Sequence, residues 1–181
     1  MSTFIAQERM RFQMRERLFA IGDDYDIRDE RGRAVFHVDG KILRIRTTFV
    51  IKDMQGHEVV TIKKKLLALR ETMTIERGGR LLASVRKALL KILRDRFVIV
   101  VEDGENMVAQ GNILEHNYRI RRGNQVVATI SKRWFTIRDT YGIEIEPGED
   151  IGLILGVAVI IDEMSHDKDK KHQVERTGDQ E

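Results

Sequence analysis

The chain has 181 residues, 32 of them Lys or Arg and 29 Asp or Glu, a net charge of +3, with 41% hydrophobic residues. At that length one domain is expected, with a sizeable apolar core under a heavily charged surface. The absence of Cys excludes a disulfide framework, thiolate metal sites and a Cys nucleophile, and it fits a reducing, cytoplasmic setting; no apolar secretion-signal core precedes Arg11, Arg15, Glu16 and Arg17.

A repeat runs along the chain. Gly32, Gly56, Gly79, Gly104, Gly123 and Gly142 recur at spacings of 24, 23, 25, 19 and 19 residues. Before each stands an aromatic or Met, one intervening residue, then Ile: Tyr25 and Ile27, Phe49 and Ile51, Met73 and Ile75, Phe97 and Ile99, Tyr118 and Ile120, Phe135 and Ile137. Such a period of two marks a strand buried on one face. A second short apolar run follows each glycine, as in Phe36 and Val38 or Val60 and Ile62. Segments such as Asp29-Glu30-Arg31-Gly32 and Asp53-Met54-Gln55-Gly56 carry turn chemistry, so each unit reads as a hairpin. Six hairpins predict twelve antiparallel strands, and closure into a barrel is the arrangement that removes their edges.

The strands are polar on the other phase, at Asp26, Arg28, Lys52, Thr74, Arg119, Arg121, Thr136 and Arg138. One apolar face needs a partner. The remaining candidate is Ile151 to Ile161, eleven residues with no polar side chain. It is too short to span a membrane alone, since a span needs about 20 apolar residues. A buried strand is one reading. The favoured one is a helix started by Pro147-Gly148-Glu149-Asp150 and enclosed by the barrel, because a helix apolar all round must be buried. The predicted domain is 1–164, with its central helix at about 149–164. Ser165 to Glu181 has Val174 as its one clearly apolar residue, so 165–181 reads as a disordered polar tail. The first dozen residues are expected to be loosely held.

Three stretches together resemble the LURP-one-related family. They are Met14-x-x-x-Leu18 with Gly22-Asp23 and Val35-Phe36-x-Val38; Asp95-Arg96-Phe97; and Pro147-Gly148-x-Asp150 before the apolar segment and Ile161-Asp162-Glu163. The resemblance covers roughly residues 7–165. It implies a tubby-like fold, twelve strands around a C-terminal apolar helix, and kinship with tubby domains and phospholipid scramblases. Some tubby-like domains bind phosphoinositides, but none of their binding residues carries over to this sequence.

Charge is the strongest functional signal. Residues 63–96 hold eleven cations and three anions, a net +8, which leaves −5 for the rest of the chain. Lys63, Lys64, Lys65, Arg86, Lys87, Lys91 and Arg94 are the candidate binding residues for an anionic surface, the headgroups of acidic lipids above all. The alternative for the same residues is a solvated barrel rim. Nucleic acid is the less favoured partner, because Phe97, just past the segment's end, is the one aromatic beside it.

No catalytic residue is assigned. No nucleophile elbow or Walker loop is present, the histidines lack metal spacing, and no cofactor is expected. Asp23, Asp24, Asp26, Asp29 and Glu30 read as turn and solvated strand residues. Asp139, with Glu144 and Glu146, resembles only part of the scramblase calcium segment, so no metal site is assigned. Gly152 and Gly156 match the G-x-x-x-G pattern; in a lumen helix they would let strand side chains approach. The sequence therefore predicts a non-enzymatic binding domain, cytoplasmic and peripherally docked on anionic membrane without a transmembrane span. A scramblase-like lipid transporter and a protein-interaction scaffold are the alternatives.

Overall fold

The computed structural model describes residues 4–15, 24–43, 46–66, 68, 70–88, 95–112, 117–131 and 140–178, with backbone alone at 15, 41–43, 46–47 and 166–178. Twelve strands lie among them: β1 (Met10–Arg15), β2 (Tyr25–Asp29), β3 (Ala34–Leu43), β4 (Arg46–Asp53), β5 (Glu58–Lys64), β6 (Thr72–Arg77), β7 (Arg80–Lys87), β8 (Asp95–Val101), β9 (Met107–Asn112), β10 (Asn117–Arg122), β11 (Gln125–Ser131) and β12 (Thr140–Ile145). Each pairs antiparallel with its chain neighbours, and β1 pairs with β12 to close the barrel. A single helix, α1 (Ile151–Gly178), follows.

Alternation fixes which side faces in. Phe12, Ile27, Val38, Ile51, Ile62, Met73, Ile75, Val85, Phe97, Ile99, Ile120 and Ile143 are buried, as are all residues of α1 from Ile151 to Asp162. The expected barrel around a buried apolar helix is therefore present. Its outward positions carry Arg, Lys and Asp, the reverse of a membrane barrel's apolar outer band.

The first two turns repeat one device. Asp29 accepts the N–H groups of Arg31 and Arg33 on Oδ1, and Asp53 accepts those of Gln55 and His57, all at 2.9 Å. Gly32 (φ 78°) and Gly56 (φ 86°) take the left-handed backbone that closes each turn. Burial alone would raise both carboxyls, but these hydrogen bonds, with those from the Arg33 and His57 side chains, hold both below the ordinary Asp value.

Three expectations change. The barrel's first strand is β1, which the count of six hairpins leaves out; the strand expected at Phe135 and Ile137 lies outside the described residues. Accordingly residues 4–12 are not loose. Phe12 and Met14 are 1% exposed, and Phe4 and Ala6 exchange backbone hydrogen bonds of 2.8–2.9 Å with Gly148, Glu149 and Ile151. Gly142 is not a turn residue but sits inside β12, opposite Gln13. Finally, α1 does not end at Met164 but continues to Gly178. The run from Val157 to Thr177 contains neither Gly nor Pro, so its polar composition supplies no helix stop.

Candidate anion-binding surface

The barrel has two unlike ends. At the hairpin end the chain enters α1. Asp150 accepts the Leu153 N–H at 3.1 Å, which is N-capping geometry. The same carboxylate takes a bidentate pair from Arg77 at 2.7 Å on both arms, while Arg77 Nε donates to the Val59 carbonyl at 3.2 Å. Beside it Arg122 grips the buried Glu149 at 2.7 and 2.8 Å, and those hydrogen bonds hold the Arg122 guanidinium above its ordinary value. The acidic pair Glu149-Asp150 thus divides its work: Asp150 caps the helix and Glu149 anchors a neighbouring strand. A Cβ on Gly152 would stand 2.7 Å from Val59 and 3.0 Å from the Arg77 guanidinium; one on Gly156 would stand 3.1 Å from Ile75. The glycines of the G-x-x-x-G pattern therefore admit strand side chains.

At the opposite, exit end α1 leaves the barrel among polar groups. Asp162 and Ser165 are buried there, and Ser165 Oγ donates back to the Ile161 carbonyl. The Tyr25 and Tyr118 hydroxyls are buried nearby. Desolvation raises both well above the ordinary Tyr range, and the Asp162 carboxylate adds to it, so both phenols stay protonated. A narrow cleft between Tyr118, Tyr141, Asp162 and Ser165 has room for roughly one water molecule. Among the described residues no group of three or more His, Asp or Glu side chains is placed to hold a metal ion. Glu144 and Glu146 are engaged by Arg11 and Arg9; Asp139 lies outside the described residues.

Of the cations proposed from sequence, the described ones, Lys63, Lys64, Lys65, Arg86 and Lys87, gather at this exit end, because they fall at the end of β5 and the end of β7. Strand register brings Lys64 opposite Met73 and Arg86 opposite Thr72, and Lys65 N–H bonds to the Thr72 carbonyl at 2.8 Å. They are not equivalent. Lys63 pairs with Glu76 at 2.5 Å and Lys64 with Glu71 at 2.7 Å. Lys87 is turned in, 15% exposed, pairing with Asp95 at 2.5 Å, its Nζ 5.3 Å from the Phe97 ring centroid. Lys65 and Arg86 are exposed, and Leu66 beside Lys65 is 58% exposed. Lys91 and Arg94 lie outside the described residues.

Further cations join Arg86 on the outer wall. One cross-strand row runs Arg86, Val98, Val108, Arg121; the next, two residues along, runs Arg96, Gln110, Arg119. Arg86, Arg96, Arg119 and Arg121 are all exposed. The outward phase of the strand pattern already held Arg119 and Arg121, but only register places them beside Arg86.

Twelve antiparallel strands closed around a C-terminal apolar helix define a tubby-like domain. The chain belongs to the LURP-one-related family, which matches residues 10–162. It is similar to the uncharacterised protein YxjI of Bacillus subtilis (strain 168), 24% identical over 149 residues, covering 82% of this chain and 90% of YxjI. The X-ray structure of a protein from Arabidopsis thaliana shares the fold, with a TM-score of 0.67 at 19% identity, over 89% of this chain and 94% of that one. No helix of the described residues is long and apolar enough to cross a membrane.

Proposed function

We propose that this chain is a non-enzymatic tubby-like domain that docks peripherally on anionic membrane from the cytoplasmic side, with the exit end of the barrel leading. The observation that carries the reading is Lys65 and Arg86, exposed at one end, with the exposed aliphatic Leu66 between the basic run and the next strand. Charge supports the orientation. In sequence the turns at the hairpin end hold seven acids and two cations, four of those acids paired with Arg9, Arg77, Arg80 and Arg122, whereas the connections at the exit end hold nine Lys or Arg and six acids. Such a dipole presents the basic end to an anionic surface before contact. Each basic side chain near that surface contributes about 1 kcal/mol, enough in a cluster for reversible docking.

Lys63, Lys64 and Lys87 are assigned a lesser part, because each already neutralises a carboxylate. Co-sedimentation of the full chain with phosphatidylserine-containing vesicles across a salt series tests the proposal. Binding is expected at low salt and lost as the Debye length falls from about 10 Å at 0.1 M to about 3 Å at 1 M. Absence of binding at low salt, or binding indifferent to salt, contradicts it.

A further inference from the structure

The wall and the rim carry different kinds of charge. On much of the barrel, cations meet carboxylates across strands: Arg11 with Glu144, Lys52 with Asp39, Lys63 with Glu76. The outward positions of β7 to β10 hold Ser84, Arg86, Arg96, Val98, Val100, Val108, Gln110, Arg119 and Arg121, with no acid among them. Arg86, Arg96 and Arg119 have no ion-pair partner among the described residues, and Arg121 donates only to the Asn124 carbonyl at 3.3 Å.

Register sets their spacing. Arg96 and Arg119 are two strands apart in one row, roughly 10 Å at the usual inter-strand distance. Arg86 and Arg121 are three strands apart in the next, roughly 14 Å, and Arg119 and Arg121 are about 7 Å apart along β10. Four guanidiniums therefore frame a low patch of Val98, Val108 and Gln110. Guanidinium is the group suited to phosphate, because its donors form a rigid fork.

We infer that this arginine wall, Arg86, Arg96, Arg119 and Arg121, is the lipid-phosphate contact surface of the domain. This inference rests on the membrane-docking reading and names its contact residues, three of which lie outside the set proposed from sequence. The partner is an extended one. The patch is an open sheet face, whereas sites for small ligands are concave. Barrel closure leaves no strand edge to which a peptide could add. The wall presents Ser, Val, Gln and Arg but no aromatic platform for stacking bases, which favours lipid phosphate over single-stranded nucleic acid. Arg86 belongs to both wall and rim, and its row runs obliquely from there to Arg121 beside the Asn124 turn, so the wall continues the rim down one side of the barrel toward the hairpin end.

The test is binding of the full-length chain to phosphatidylserine-containing vesicles, to pure phosphatidylcholine vesicles and to a single-stranded oligonucleotide. R119E/R121E is expected to weaken binding to the anionic vesicles by more than about tenfold, R119Q/R121Q by less, with no change in thermal midpoint that would signal misfolding. If both variants bind as wild type while K65E/R86E does not, the wall assignment is wrong and rim docking stands. Wild-type protein that ignores anionic vesicles overturns the docking reading and this inference together. Tighter binding to the oligonucleotide than to the vesicles assigns the wall to nucleic acid and overturns the inference.

Discussion

The two ends of the barrel solve different problems. At the hairpin end no connection exceeds five residues, and two bidentate Arg–carboxylate pairs, Arg77–Asp150 and Arg122–Glu149, lock the start of α1 to β6 and β10. At the exit end four of the six connections between strands have seven residues or more, and exposed cations stand beside an exposed leucine. At the first end Arg77 and Arg122 are spent on carboxylates within the fold. Charge at the second is partly left over. The contrast teaches that a count of basic residues overstates a binding surface: Lys63, Lys64 and Lys87 look like Lys65 in sequence, yet each already has a carboxylate partner.

The comparison breaks most completely if the helix both ends depend on is lost. Replacing Leu155 or Val159, both fully buried, with Asp should cost several kcal/mol, because the lumen offers an unpaired charge no water. Circular dichroism should then show no cooperative melt. A retained melt would mean that α1 is not enclosed.

The hairpin end should be the stability-bearing one. Arg77→Ala strips the partner from the half-buried Asp150 cap and should cost about 3 kcal/mol, whereas Lys63→Ala at the exit end should cost less than about 1 kcal/mol. Gly152→Ala should destabilise by about 1–3 kcal/mol, since its Cβ collides with a strand side chain at 2.7 Å. Gly156→Ala meets only the flexible end of Ile75 at 3.1 Å, so it should be the milder of the two, offset by about 1 kcal/mol of helix propensity. Denaturant unfolding reads all four.

The exit end should dominate the response to alkali. Tyr25 and Tyr118 titrate above their unfolded value of about 10, so folding favours the protonated phenols. Their contribution is whole below pH ~10 and falls as pH rises beyond it, because the unfolded chain then releases protons that the native one keeps. Thermal midpoints should decline above pH 10, and the Y25F/Y118F variant should decline less steeply. An identical slope in that variant would remove the two phenols from the explanation.

Much of the fold was legible because strand burial has a period of two and the turns carry Gly. The pattern Tyr25-x-Ile27 to Tyr118-x-Ile120 gave five of the hairpins, and the wholly apolar Ile151–Ile161 gave the helix. β1 was harder. Phe12 and Met14 alternate as well as any strand, but nine residues separate β1 from β2, too many for the short glycine turn that marks the other hairpins. Its partners are β12 and β2, and a pairing more than a hundred residues away leaves no local trace. Polar composition also misled: residues 165–177 have little apolar content but contain neither Gly nor Pro. The candidate site was legible only as composition. Which lysines are neutralised depends on Glu76, Glu71 and Asp95 arriving across strands, and which arginines share a row depends on register.

The smallest structural perturbation gives the most direct test of the central claim. K65E/R86E and R31E/R80E change net charge equally, one pair at the exit end and the other at the hairpin end, all at exposed positions whose stability cost is small. Equilibrium binding of wild type and both variants to phosphatidylserine-containing vesicles at low salt separates a placed surface from mere net charge. The account predicts a loss of about tenfold or more for K65E/R86E and little change for R31E/R80E. Equal losses in the two variants, or none in either, would contradict it.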